Sequence, residues 1–272
     1  MEAPVRDLVY LYCITKSKPH YADFPKTGIE IYPIYSQGIY AIVSKVSSSK
    51  FSEDNLKKKL TDMNWVERNV RQHENVVEAI MQKTAVLPFK FASVFQTEKN
   101  VEKLLKEHSE EFKKIIANLE GTGEWGLKMY CNPEKLKALL EEENETIREK
   151  AQEIALAGKG KEYFLKRKRD ELIKNMLNGK ISEYTQDSFE KLKKMSRRAR
   201  INKILPKEVT EKKEDMILNS VFLVNKKRIA GFSNVLANLK TKYSDKGLSF
   251  DCSGPWPPYN FCSICNNGGK HG

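Results

Sequence analysis

The run Cys252-Ser253-Gly254-Pro255-Trp256-Pro257-Pro258-Tyr259-Asn260-Phe261 limits what this chain can fold into more than any other stretch. Each proline fixes φ near about −65° and removes a backbone donor. Each residue ahead of a proline is driven towards extended geometry. A central strand cannot be built this way, because its ladder would lose donors, so the run predicts a stiff ribbon at a sheet edge or on the surface. Two readings of Trp256, Tyr259 and Phe261 follow. They fill a gap in the core, or they form an aromatic docking surface for another protein.

A length of 272 residues suggests about two domains, each able to bury a core of its own. With 40% hydrophobic and 31% charged residues, the composition is that of a globular chain and not of a disordered one. No stretch approaches the roughly 20 apolar residues that cross a bilayer. The opening Met1-Glu2-Ala3-Pro4-Val5-Arg6-Asp7 lacks a basic segment followed by an apolar one, so no signal peptide is expected and the cytoplasm is the expected compartment. The net charge of +12 favours acidic partners without naming one. Spread along helices, most of it reads as solvated surface, and a basic nucleic-acid-binding protein is the alternative reading.

Periodicity gives an α+β outline. Asp7 to Ile14 reads as a buried strand, and residues 29–34 and 38–43 as an antiparallel pair across a Ser36-Gln37-Gly38 turn. Ser52 caps a single helix from Glu53 to about Lys83, with Leu56, Leu60, Met63, Val66, Val70, His73, Val77 and Ile80 on one face. Val86 to Phe91 is a short strand confined by Pro88 to an edge, and Val101 to Leu119 a helix stopped at Gly121-Thr122-Gly123. A domain boundary falls there, giving an N-terminal α+β domain over 1–121, a C-terminal domain over 122–261 and a tail over 262–272. In the second domain a strand at 125–131 leads through Asn132 and Pro133, as cap and first helical residue, into a helix to about Ala157. After a Gly158-Lys159-Gly160 break a longer helical stretch runs to Pro206, carrying the basic run Arg197-Arg198-Ala199-Arg200. Strands at 216–224 and 248–252 flank a helix over 229–243. The expected architecture is two small, mostly antiparallel sheets with helices packed on one face of each. The second is nearest the ferredoxin-like type, with a long helical insertion.

No reacting centre is marked by spacing. His73-Glu74 lacks a second histidine, since Val77 stands four residues on, so the zinc-protease helix fails. On the apolar stripe, His73 reads as a satisfied core or interface histidine. Cys262 and Cys265 with His271 have metal or redox spacing, and Cys252 could join them, but there is no second Cys-x-x-Cys, and frayed terminal thiols are the simpler reading. Gly158-Lys159-Gly160-Lys161 has neither the spacer nor the preceding strand of a phosphate loop. These absences favour binding or assembly over catalysis, with no cofactor, metal, small-molecule substrate or membrane expected.

Several segments together resemble the gas vesicle proteins GvpF and GvpL. They are Leu8-Val9-Tyr10-Leu11-Tyr12, Ala41-Ile42-Val43-Ser44, His73-Glu74-Asn75-Val76-Val77, Val86-Leu87-Pro88-Phe89-Lys90-Phe91, Asn219 to Val224, and the closing ribbon from Ser253 to Phe261. The Pro257-Pro258 pair and the tyrosine-rich opening strand look closer to the GvpL branch. The resemblance implies a non-enzymatic accessory protein of gas vesicle formation, with an N-terminal α+β domain and a modified ferredoxin-like C-terminal domain. It also implies association with the hydrophobic shell protein and with other accessory proteins, at the gas vesicle or in the cytoplasm. The candidate partner-binding residues are Trp256, Pro257, Pro258, Tyr259 and Phe261, together with His73 and Glu74.

Overall fold

The structure, a computed structural model, describes residues 6–25 and 28–262. It divides into two compact units, the first holding the described residues up to Glu124 together with those from Pro255 onward, and the second Trp125–Gly254. The ribbon from Pro255 to Phe261 therefore groups with the first unit, whereas the sequence reading ran the second domain through residue 261.

The first unit contains β1 (Asp7–Thr15), β2 (Ile31–Ser36), β3 (Ile39–Ser47), α1 (Ser48–Phe51), α2 (Glu53–Lys59), α3 (Met63–Met81), β4 (Val86–Pro88), β5 (Val94–Phe95) and α4 (Glu98–Leu119). Its antiparallel sheet has the order β2-β3-β1-β4, with β5 also paired to β1. The β2–β3 hairpin turns through Gln37 and Gly38, both at positive φ (51° and 78°), the mirror-image turn that matches strand twist. Pro33 and Pro88 lie on the two outer strands β2 and β4, where a missing donor costs no interior ladder bond. From Leu8 to Thr15 every residue of β1 is buried, so both faces of the strand are covered. Helices on one face only is therefore not what this sheet shows. A continuous apolar run requires cover on both sides, as in any fully buried strand.

The single helix expected from Glu53 to Lys83 is two helices. Asp62 interrupts it by accepting from the Trp65 amide at 3.1 Å and so caps α3. Ser52 stands at the start of α2 but makes no side-chain capping bond. The break leaves Leu60 and Met63 exposed and turns Trp65, His73, Val76, Val77 and Ile80 inward.

The second unit is built from β6 (Thr122–Cys131), α5 (Pro133–Glu143), α6 (Glu145–Ala155), α7 (Lys159–Lys194), β7 (Arg198–Ile201), α8 (Lys207–Thr210), β8 (Asp215–Asn225), α9 (Ile229–Tyr243) and β9 (Leu248–Trp256), the division falling within β6 and near the end of β9. Its sheet has the order β7-β8-β6-β9. Asn132 caps α5 as expected, accepting from the Lys135 amide at 3.0 Å. Asn144 then caps α6 by accepting from Ile147 at 3.1 Å, splitting the helix that was expected to run to Ala157. Leu127, Met129, Phe222, Val224, Phe232 and Leu236 form the core between sheet and helices. Asp187 on α7 accepts from Tyr243 Oη at 2.6 Å and from Lys191 and Lys242 at 2.9 and 3.0 Å. Partial burial pushes that carboxyl up, but the three donors prevail and bring it down to about 2.

The largest departure from the expected outline is at 197–201. The long helix ends at Lys194, and the basic run belongs to strand β7, with Arg198 opposite Leu223 and Ile201 opposite Ser220. Pairing with β8 and packing of Ala199 against the core outweigh the helical preference of arginine and alanine. Pro206 caps the short helix α8. β9, which enters the proline ribbon, is an outer strand of its sheet, where the ribbon's geometry is tolerated.

Candidate functional site: a buried clasp around His73

The site lies wholly in the first unit and is assembled from β1, α3, the segment after β4 and the closing ribbon. Strand alternation points Tyr10 and Tyr12 towards α3, with their rings 4.7 Å apart, and a bulge lies between Leu11 and Cys13. The buried stripe of α3 delivers His73, which is 1% exposed, between these rings. Phe91 meets the imidazole edge-on at 6.2 Å, and Tyr259 from the ribbon stacks at 6.4 Å.

The hydrogen bonds around His73 have one consistent direction. The Phe89 carbonyl, 3.1 Å from Nε2, can only accept, so Nε2 carries the proton. Nδ1 is then an acceptor and takes the Tyr10 hydroxyl at 3.0 Å, while the Tyr10 oxygen accepts from the Ala92 amide at 2.8 Å. Tyr259 Oη, 3.1 Å from Nε2, uses its own proton to donate to Glu74 Oε1 at 3.0 Å. The series runs from the Ala92 amide through Tyr10, His73 and Tyr259 to the Glu74 carboxylate. Ala92 holds its place at φ 64°, a left-handed conformation that costs a non-glycine residue about 1–2 kcal/mol.

This arrangement requires a neutral imidazole. Burial lowers the His73 pKa to about 4, against a smaller opposing pull from the Phe89 carbonyl. Burial raises Glu74, offset in part by the Tyr259 hydroxyl. Burial also raises both phenols, Tyr10 and Tyr259, with the neighbouring Glu74 carboxylate adding to the effect.

A second set of bonds fixes the ribbon beside the clasp. Glu124 accepts from the Asn260 amide at 3.0 Å and from its side-chain Nδ2 at 2.6 Å. Burial raises the Glu124 pKa, and these two bonds oppose it. Phe261 is buried, and the Cys262 thiol donates to the Pro258 carbonyl at 3.0 Å. Glu124 is the last residue before the chain enters the second unit, and the ribbon follows its return. These bonds tie the exit and re-entry points to one another.

The clasp thus brings together His73, Glu74, Tyr259 and, packed beside them, Pro257, Pro258 and Phe261, all buried or half-buried. Trp256 differs, being 45% exposed. Tyr10, Glu124 and Asn260 were not singled out by sequence reasoning. Tyr10 and His73 are 63 positions apart and Glu124 and Asn260 are 136 apart, so no local spacing could have signalled either pair. Cys265 and His271 lie outside the described residues, and among the described residues no three His, Cys, Asp or Glu side chains gather as metal ligands. No helix among the described residues is long and apolar enough to cross a membrane.

Fold and site define a two-unit α+β protein whose closing ribbon is locked onto its first unit by a neutral histidine. The family profile described as gas vesicle synthesis protein GvpL/GvpF matches residues 8–263, and the chain belongs to that family. Membership brings an accessory role in gas vesicle assembly. Gas vesicle protein L of a Streptomyces species is 24% identical over 83% of this chain and 80% of its own length. Gas vesicle protein L1 of Halobacterium salinarum is 22% identical over 93% and 89%. Among solved structures, GvpF from Anabaena sp. shares the fold with a TM-score of 0.70 at 19% identity, covering 98% of this chain and 100% of that one. GvpF from Microcystis aeruginosa does so with a TM-score of 0.62 at 17% identity, over 94% and 99%. Matches thus fall on both the L and the F branch.

Proposed function

We propose that this protein is a non-enzymatic accessory component that holds the hydrophobic gas vesicle shell protein, and other accessory proteins, during nucleation or assembly. Its place of work would be the forming vesicle and the surrounding cytoplasm. The family match over residues 8–263 carries the reading. The clasp supports it. Four of the segments that mark the family resemblance, 8–12, 73–77, 86–91 and the closing ribbon, meet around His73, and there their polar groups are engaged with one another. The space beside the imidazole is about 40 Å³, room for about one water and too little for a substrate. A shell protein that polymerises through apolar surfaces needs partners that cover those surfaces before assembly. In the second unit the element order strand–helices–strand–strand–helix–strand, with the sheet order β7-β8-β6-β9, fits a modified ferredoxin-like fold in which α5 to α7 include the insertion.

Deletion of the gene tests the role. Cells lacking it should lose buoyancy and regain it when the intact gene is restored, and the purified protein should retain the shell protein on an affinity resin. Normal buoyancy in the deleted strain would overturn the proposal.

A further inference from the structure

The second unit has an unpaired sheet edge. β7 is an outer strand, bonded on one side to β8, and no strand among the described residues pairs with its other side. The Asn202 amide donates to the Asn219 carbonyl at 2.7 Å, and alternation along the strand then turns the backbone groups of Ala199 and Ile201 away from β8. The same alternation puts the Ala199 and Ile201 side chains on the α7 face and those of Arg198 and Arg200 on the opposite face. On the α7 face the edge opens into a groove of about 430 Å³ lined by Ile181, Phe189, Ile201 and Ile217. Ile201 is 58% exposed, and the Thr185 hydroxyl is buried in the lining without a hydrogen-bond partner.

Charge is concentrated at the same place. From Lys191 to Lys207 there are eight lysines and arginines and no acidic residue. Lys191, Lys193 and Lys207 pair with Asp187, Glu190 and Asp215 from outside that run.

We propose that the β7 edge takes an extended segment of another protein, one alternating apolar and acidic side chains, as an added strand. Backbone pairing to Ala199 and Ile201 would supply affinity. Alternate side chains would enter the apolar groove, and those between them would face Arg198 and Arg200. This deepens the assembly reading and rests on it only for the partner's being a protein.

The test uses the full-length protein and a fluorescein-labelled peptide of alternating valine and glutamate. A valine–lysine peptide and a single-stranded oligonucleotide of similar length serve as comparisons. The acidic peptide should bind at least about tenfold more tightly than the basic one, and more weakly as salt rises. Ile201→Pro removes an outward donor while sparing the β8 ladder, and should lower that affinity about tenfold with an unchanged circular dichroism spectrum. Arg198→Glu with Arg200→Glu should reverse the preference towards the valine–lysine peptide, a gain that unfolding cannot produce. Equal binding of the two peptides, an unaffected Ile201→Pro variant, or tighter binding of the oligonucleotide would overturn the proposal. Peptide binding by a protein whose deletion leaves buoyancy normal would remove the assembly role and leave the edge standing. Lost buoyancy without peptide binding would remove the edge alone.

Discussion

In the first unit a buried imidazole, two phenols and a carboxylate are joined into one directed series, and the part of the ribbon that completes it, from Pro257 to Phe261, is buried or half-buried with them. At the β7 edge of the second unit the backbone of Ala199 and Ile201 faces outward, and Thr185 lies buried in the groove with its hydroxyl unmatched. Both regions are rich in groups capable of recognition. The difference is whether the chain itself supplies the partner. Where it does, a substitution should register as lost stability, because a buried donor or acceptor left alone costs more than the bond was worth. Where it does not, a substitution should register in binding and leave the fold unchanged.

The contrast is tested most severely by Phe261→Ala. Truncating this buried ring should cost roughly 3–5 kcal/mol in chemical denaturation, and a loss below about 1 kcal/mol would show that the ribbon is only lightly attached. Next comes the response to acid. The His73 pKa is lowered from 6.5 to about 4, so the unfolded chain binds the extra proton first. The neutral imidazole's contribution is complete above the unfolded value and is lost as pH falls from 6.5 towards about 4, by on the order of 3 kcal/mol. Glu74 and Glu124, raised by burial, act in the opposite direction and favour the fold at low pH. Comparison with His73→Gln isolates the imidazole, since denaturation midpoints of the variant should lose the histidine slope between those pH values.

Tyr259→Phe should cost about 1–3 kcal/mol, because it deprives Glu74 of its donor and His73 of an acceptor while preserving the ring. A thermal melt with no change would mean that water replaces the hydroxyl without loss. The smallest effect belongs to the open edge. Ile201→Thr, at a position 58% exposed beside the groove, should move stability by less than about 0.5 kcal/mol, even though it removes apolar surface facing any added strand. Substantial unfolding there would erase the distinction between the two regions.

Legibility followed how local the cause was. The opening strand could be read because Leu8 to Ile14 is an apolar run with hydrophobic neighbours on both sides. The α5 cap could be read because Asn132 and Pro133 act on the adjacent turn. The burial of His73 followed from its position on the stripe of α3, which a regular helix imposes. The break at Asp62 was missed because an aspartate inside an amphipathic pattern looks like one more exposed charge until its side chain caps the next helix. β7 was missed for a stronger reason. Arg198, Ala199 and Arg200 carry no strand preference of their own, and only β8 beside them makes the extended form the better choice.

Sequence alone therefore decided where the backbone could not continue a ladder, which faces had to be hidden, and to which family the motifs pointed. Those outcomes depend on φ restriction, periodicity and side-chain type within a few residues. Tertiary structure alone decided that Tyr259 would reach His73, that Asn260 would satisfy Glu124, and that a basic run would lie along an open edge. Each depends on residues far apart in the chain, and only the closure of the fold brings their atoms within hydrogen-bonding distance.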